Sequence, residues 1–506
     1  MFDSSASHLI TKARLVALLA TAALGGCTVG PDFQAPARPT EQTYAPQTAA
    51  TIDPPAPGES GQRVAMGRPL QADWWKSLGS PELNETVEAA LSHNWSLAAA
   101  QANLAKAQQI VKSARGGLYP QVDGAAGAER RAYGAEFLGP QAFTFPTFSA
   151  YTAGIGVSYD PDIFGGTHRQ IELASADAEV SGEALNAARL AVSGGVVMTA
   201  LQSAATRAQV AAVQDMIASD EKTLDLVRAA RRTGVASEMD VMTAQSQLDR
   251  DQAMLPPLHQ RLEAAQDALA VLVGRSPANW SAPALDLDRL TLPEELPLAL
   301  PSELVRARPD IRAAEARLHA ASAEVGVATA DLYPRFNLSA AVAGEGLMSG
   351  PAGTAWSLVA GMTAPIFHGG ALTARRKAAE QAYQASFDDY QQTVLAAFQQ
   401  VADTLHGLAN TADSVRAERQ ALESASAALR LTRLGYGAGN TGIVQVLDAQ
   451  RQQQLAQLSL IEARAQRHAL TVDLFLATGG GLMEAGADGS NTTTARAASG
   501  QDRDHS

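Results

Sequence analysis

Leu118-Tyr119-Pro120-Gln121 returns almost unchanged, 214 residues later, as Leu332-Tyr333-Pro334-Arg335. At that offset Ser96–Val122 aligns without a gap against Asp310–Phe336. Ala99, Ala100, Ala102, Leu104, Ala107, Val111 and Ala114 are identical in the second copy, ahead of the shared Leu-Tyr-Pro. The positions Ala100, Leu104, Ala107, Val111, Ala114 and Leu118 step by three and four, so one helix face is repeated. A further segment agrees at an offset of 205. There Leu224, Leu226, Arg228, Gly234, Val241, Ala244 and Gln245 recur as Leu429, Leu431, Arg433, Gly439, Val446, Ala449 and Gln450. The chain is a tandem duplication.

Pro120 and Pro334 cannot continue a helix, because the ring removes a donor and clashes with the preceding turn. Beyond each proline the apolar residues alternate. Phe336, Leu338, Ala340 and Val342 share one face after Pro334, and Tyr151, Ala153, Ile155, Val157 and Tyr159 share another. Trp356, Leu358, Ala360 and Met362 alternate in a further stretch, and Val122–Ala132 supplies the fourth. Each half therefore contributes two strands of roughly ten residues, the length of a tilted membrane strand. Soluble hairpins packed on another layer are the competing reading. Four strands cannot close a barrel, and open edges are not tolerated in lipid. Two copies would give eight strands with a filled interior, and three would give twelve with room for a channel.

The N-terminus points to the same place. Lys12 and Arg14 precede an apolar run, Leu15–Leu24, that is too short to span a bilayer as a mature helix. The run ends in Leu24-Gly25-Gly26-Cys27, and Cys27 is the only cysteine among 506 residues. This resembles the bacterial lipobox, in which the cysteine is lipidated after cleavage. Thr28 follows it, which in that resemblance favours the outer membrane. A net charge of −13 argues against a nucleic-acid binder. The nine His form no close metal pair, and no GxSxG or phosphate loop appears, so an enzyme is not expected.

From Ser80 to Arg115 the chain is helical in pattern, with Ser80 able to cap and Pro81 able to sit at the first helical position. Long helical segments lie between the strands. From about Thr167 to Arg231 there is no proline, and a continuous helix of that length runs near 100 Å. Glu238–Leu272 and Val444–Ala477 return after short turns as antiparallel partners. The expected organisation is a signal peptide over 1–26, a lipidated extended linker over 27–70, and a first repeat over 71–280. Within that repeat a β-hairpin occupies 122–160 and a helical hairpin 165–273. The second repeat covers 281–478, with hairpins over 336–367 and 371–477. A disordered tail over 479–506 follows.

Several phrases carry a family resemblance: WWKSLGSPEL (74–83), LPSELVRARPDIRAAEARL (300–318), APIFHGGALTARR (364–376) and GYGAGNTGIVQVLDAQR (435–451). With the lipobox, the chain resembles the TolC-like outer membrane factors, the channel component of tripartite efflux pumps, in their lipoprotein (NodT-type) branch. The resemblance implies an α+β membrane protein that assembles as a homotrimer. Each protomer would give four strands to a twelve-stranded barrel, continuous with a long periplasmic α-helical barrel and a mixed equatorial domain. It implies a periplasmic adaptor and an inner-membrane transporter as partners, small toxic molecules as cargo, and no cofactor beyond the lipid on Cys27. Tyr119, Pro120, Tyr333 and Pro334 would mark the helix-to-strand switch, with the tyrosines at the membrane interface.

In such channels the helical tips close the tunnel. The matching positions are the turn residues Gly234 and Gly439, a hydrophobic ring at Val444, an acidic ring at Asp448 and its basic partner Arg451. Asp240 matches a tip acid of the first copy, and Tyr436 a tyrosine of the gate network. Thr441 stands where some relatives carry a gate arginine, and Gln445 where some carry a second aspartate, so the resemblance implies a thinner network. Three Asp448 carboxylates around an axis would favour cations; a solvated acid at a helix start is the plainer reading. A lipid-anchored periplasmic coiled-coil adaptor is the alternative function.

Overall fold

A computed structural model describes residues 28–44, 51–52, 61–132, 147–348 and 350–481. Cys27, the signal peptide and positions 482–506 of the expected tail lie outside these residues. In chain order the elements are β1 (Thr51–Ile52), β2 (Gln62–Met66), α1 (Pro81–His93), α2 (Trp95–Gly116), β3 (Gln121–Arg131), β4 (Phe148–Tyr159), α3 (Gly166–Arg232), α4 (Glu238–Gln252) and α5 (Leu255–Leu272). They continue as β5 (Glu295–Leu298), α6 (Pro301–Ala307), α7 (Pro309–Ala330), β6 (Arg335–Leu347), β7 (Ala352–Thr363), α8 (Ala371–Gly437) and α9 (Ile443–Ala477).

The duplication is visible in element lengths. α2 and α7 both have 22 residues and coincide at the offset of 214. α3 and α8 both have 67 residues and coincide at the offset of 205. The switch after the first pair is also the same twice. The Tyr119 N–H donates to the Gly116 carbonyl at 3.1 Å, and the Tyr333 N–H to the Ala330 carbonyl at 3.0 Å. The helices thus end four residues before Pro120 and Pro334, in one tightened turn. Each proline is the last residue before a strand, and it biases the preceding tyrosine to extended backbone. Both tyrosines are exposed, Tyr119 more so, and Tyr333 lies against Phe164 with ring centroids 4.7 Å apart.

Of the described residues, those within 28–36, 103–182 and 313–390 form one compact unit, and those within 37–102, 183–312 and 391–481 form another. Each draws on both repeats. The first holds a four-stranded antiparallel sheet in the order β3-β4-β6-β7. β4 and β6 pair from Ala150 against Leu347 to Tyr159 against Leu338, joining the two hairpins in the middle. β3 and β7 are the edges. β7 is exposed along its whole length, with Trp356 79% and Leu358 77% accessible.

The same unit ties down the residues that follow Cys27. A Cβ on Gly165 would run into Thr28, and the Val29 N–H donates to the Phe164 carbonyl at 3.2 Å. Arg169 donates to the Val29 carbonyl at 3.2 Å and to Asp32 at 2.8 Å. Phe33 stacks on His319, with centroids 4.4 Å apart.

The second unit departs from the expected layout in four places. The 27–70 linker is not featureless: β2 pairs antiparallel with β1 and parallel with β5, and its buried Gln62 receives hydrogen bonds from Arg467 on α9. The helix expected from Ser80 to Arg115 breaks at Asn94, whose side-chain oxygen caps α2 and whose amide donates to the Leu272 carbonyl at 2.8 Å. Ser80 and Pro81 start α1 as the sequence implies. The helix expected over Glu238–Leu272 is interrupted between Gln252 and Leu255, just before Pro256 and Pro257. Gly479–Gly481, assigned to the tail, are buried with positive φ.

Candidate functional site: the helical tips

Both tips are built by the same backbone device. α3 ends with the Gly234 N–H donating to the Arg231 carbonyl and the Val235 N–H to the Ala230 carbonyl, both at 2.9 Å. α8 ends with the Gly439 N–H donating to Tyr436 at 3.0 Å and the Asn440 N–H to Gly435 at 2.8 Å. This is the glycine-terminated helix end in which one left-handed residue satisfies the last carbonyls. Gly234 and Gly439 have φ of 77° and 76°. No atom lies within 4 Å of a Cβ added at either, so conformation and not space selects glycine there.

The tips differ in how the next helix starts. Ser237 accepts from the Asp240 N–H at 3.2 Å, and Asp240 accepts from the Ser237 N–H at 2.8 Å, a reciprocal cap for α4. These hydrogen bonds hold the Asp240 carboxyl below its ordinary range. At the offset of 205 the pair becomes Gly442 and Gln445, and α9 starts without a side-chain cap. Asp240 is therefore first a capping residue. The absent second aspartate at Gln445 is an absent cap as well as an absent charge.

A shared apolar cluster joins the four helices. Leu224 and Val227 of α3 meet Val241, Ala244 and Leu248 of α4, Leu429 of α8, and Ile443, Val446 and Leu447 of α9. Tyr436 is half-buried against this cluster. The Thr441 hydroxyl donates to the Thr432 carbonyl at 3.2 Å. Arg228 donates to Gln245 at 3.0 Å and Arg433 to Gln450 at 3.3 Å, so an Arg–Gln clasp is repeated with its residues.

With Ile443, Val446, Leu447 and Gln450 turned inward, α9 leaves Val444, Asp448 and Arg451 on one exposed face. Arg451 donates to Asp448 at 3.0 Å. Helical spacing brings these three together, as the sequence implies. It does not join them to Tyr436 or Asp240, which belong to the cluster side and the first tip. Two features were missed by sequence reasoning. Arg308, inside the LPSEL phrase, bridges Asp310 and the Ala477 carbonyl, the latter at 2.8 Å. Asp220 and Asp251 are buried between helices. The heptad-like steps of apolar residues that both aspartates interrupt were the available signal for the second.

Comparison with known proteins decides the family. The profile of the outer membrane efflux protein family matches residues 86–275 and 300–480. The chain belongs to the outer membrane efflux protein family. It is 29% identical over 479 residues to the outer membrane protein OprJ of Pseudomonas aeruginosa, covering 92% of this chain and 96% of OprJ. It is 31% identical over 447 residues to the pyoverdine export outer membrane protein OpmQ of the same organism, covering 84% and 93%. Its fold is similar to the solved outer-membrane channel OprN, with a TM-score of 0.79 and 28% identity over 90% of this chain and 99% of that one. This outer membrane efflux protein is an efflux-pump component of the outer membrane. Its relatives are channels rather than enzymes.

Proposed function

We propose that three copies assemble into a conduit that has a closed twelve-stranded barrel in the outer membrane and a gate at the helical tips. The observation that carries this is the four-stranded sheet with two unpaired edges, β3 and β7, and an apolar outer strand. In hydrocarbon an unpaired strand edge costs several kcal/mol per polar group, so the edges must meet those of other copies. Three copies supply twelve strands, enough to leave a lumen. Cys27 carries the lipid anchor. The contacts of Thr28 and Val29 with Gly165 and Phe164 support this, because they hold the next residues at the start of α3, in the same unit as the sheet.

At the tips, Val444, Asp448 and Arg451 line the constriction, and Asp240, Tyr436, Gly234 and Gly439 fix the helices that carry them. A periplasmic adaptor and an inner-membrane transporter complete the pump, and the cargo is small molecules chosen largely by that transporter. The test combines three readouts. The outer-membrane fraction should contain a heat-resistant trimer, Cys27→Ala should abolish lipid incorporation, and Asp448→Ala should raise single-channel conductance. A monomer without conductance sinks the channel reading and favours a lipid-anchored adaptor. Unchanged conductance of Asp448→Ala removes that residue from the gate.

A further inference from the structure

Two carboxylates sit where the four helices of the tip region close on one another. Asp220 of α3 is 2% exposed and Asp251, at the end of α4, is 4% exposed. Asp251 continues the inward stripe Val241, Ala244 and Leu248, so an acid occupies a position that the pattern gives to an apolar side chain.

Amides converge on the pair. Gln247 donates to both oxygens of Asp251 at 3.1 Å. Gln450 and Gln454 of α9 donate to Oδ1 of Asp220, Gln454 at 3.4 Å. Asp220 Oδ2 is buried and receives no hydrogen bond from the protein, although Asp251 is its neighbour. Two ionised carboxylates have no hydrogen to offer each other. One proton supplies the missing donor, as in any pair of carboxylates sharing a site.

The duplication supplies a control that nature has already run. At the offset of 205, Asp220 and Asp251 correspond to Ala425 and Ala456. The architecture is thus built with alanine at both positions in the second copy, and the acids are an addition confined to the first.

We propose that Asp220 and Asp251 share one proton, and that this proton latches α4 to α3 within the first tip hairpin, releasing α4 when the pair becomes fully ionised. Burial first, then the neighbouring Asp251, pushes the Asp220 carboxyl up to about 8. The cations around the pair are Arg433 of α8, which donates to Gln450 and to Ser219 at 3.0 Å, and Arg250 of α4, which donates to Gln247. α3 faces it with Ser219 and Thr223, and α9 with Gln450 and Gln454. Both cations reach the pair only through neutral amides or hydroxyls, so neither replaces the proton.

The direction with pH follows from linkage. The latched state binds one proton more than a loosened state whose carboxyls are solvated. Latching is therefore tightest in acid, and it weakens from about pH 4, where a solvated carboxyl ionises, up to about 8. The loosening constant rises by up to about tenfold per pH unit across that window.

Hydrogen exchange of the α4 amides in the purified full-length channel, corrected for intrinsic pH dependence, reads this directly. The wild type should exchange progressively faster from pH 5 to pH 8. Asp220→Asn, which keeps a donor whatever the pH, should be flat. A wild type as flat as Asp220→Asn, or a variant as steep as the wild type, overturns the proposal. Infrared spectroscopy of the wild type needs no variant to fold. A carboxylic-acid C=O band present at pH 6 and lost by pH 9 supports the shared proton, and its absence at pH 6 refutes it.

Discussion

The glycine that ends α8 at the second tip allows a test of opposite signs two residues apart. Gly439 has a φ of 76°, and nothing lies within 4 Å of an added Cβ. Gly439→Ala therefore introduces no clash, and its whole cost is the left-handed backbone, about 1–2 kcal/mol for an L-residue. Gly437, the last residue of α8, also has open space around an added Cβ, but its backbone is helical. Gly437→Ala should stabilise the helix end by up to about 1 kcal/mol, because alanine loses less backbone entropy there. Local opening of the tip should then become about 5–30-fold more frequent in Gly439→Ala, and rarer in Gly437→Ala. Hydrogen exchange of the amides from Leu434 to Leu447 in the full-length channel measures both. Gly234 adopts the same conformation with the same open surroundings, so Gly234→Ala should reproduce the Gly439→Ala effect at the first tip. Equal protection in Gly439→Ala and wild type, or a shift of both variants in the same direction, refutes the assignment of these turns to backbone conformation.

Two further outcomes concern the second unit. Arg308→Ala removes hydrogen bonds to Asp310 at 3.0 Å, to Gln400 at 2.9 Å and to the Ala477 carbonyl at 2.8 Å. Asp310 is half-exposed, so the loss should be about 2 kcal/mol rather than the larger figure for a fully buried pair. It should appear as a lowered denaturant midpoint with an unchanged slope. His468 is buried, and burial, then Arg464 and Arg467, push its imidazole down to about 4. The unfolded chain takes up a proton near pH 6.5 that the native ring refuses. Stability should therefore fall as pH drops from about 6.5 to about 4, and a pH series of midpoints for His468→Gln should lack that slope.

The sequence was most legible where geometry is repeated. The Leu-Tyr-Pro tripeptides and the face Ala100–Leu118 located both 22-residue helices and the strands after them, because period and proline are local signals. Gly234 and Gly439 were legible for the same reason, since a left-handed helix end has few other residues to choose from. The breaks at Asn94 and Gln252 were not, because each depends on a distant partner or on a proline read as part of a longer pattern. β2 was hidden for a related cause: Gln62 looks like linker composition until Arg467, some four hundred residues away, comes to meet it. At the tips the exposed row Val444, Asp448 and Arg451 could be read from helical spacing. The capping duty of Asp240 was overshadowed by its likeness to a gate acid, although Ser237 three residues earlier is the signature of such a cap.

The equality of the two 67-residue helices sets a rule for altering this chain. The registers of the two copies differ by nine residues, and that difference falls between Pro120 and Gly166 in one copy and Pro334 and Ala371 in the other. Length has drifted in the hairpin stretch and has stayed fixed in the long helices. Removing a four-residue turn from α3 alone would draw one tip back by about 6 Å relative to its helix start, while the other stayed where it was. Shortening or lengthening these helices is thus an edit that must be made twice, like trimming both legs of a ladder.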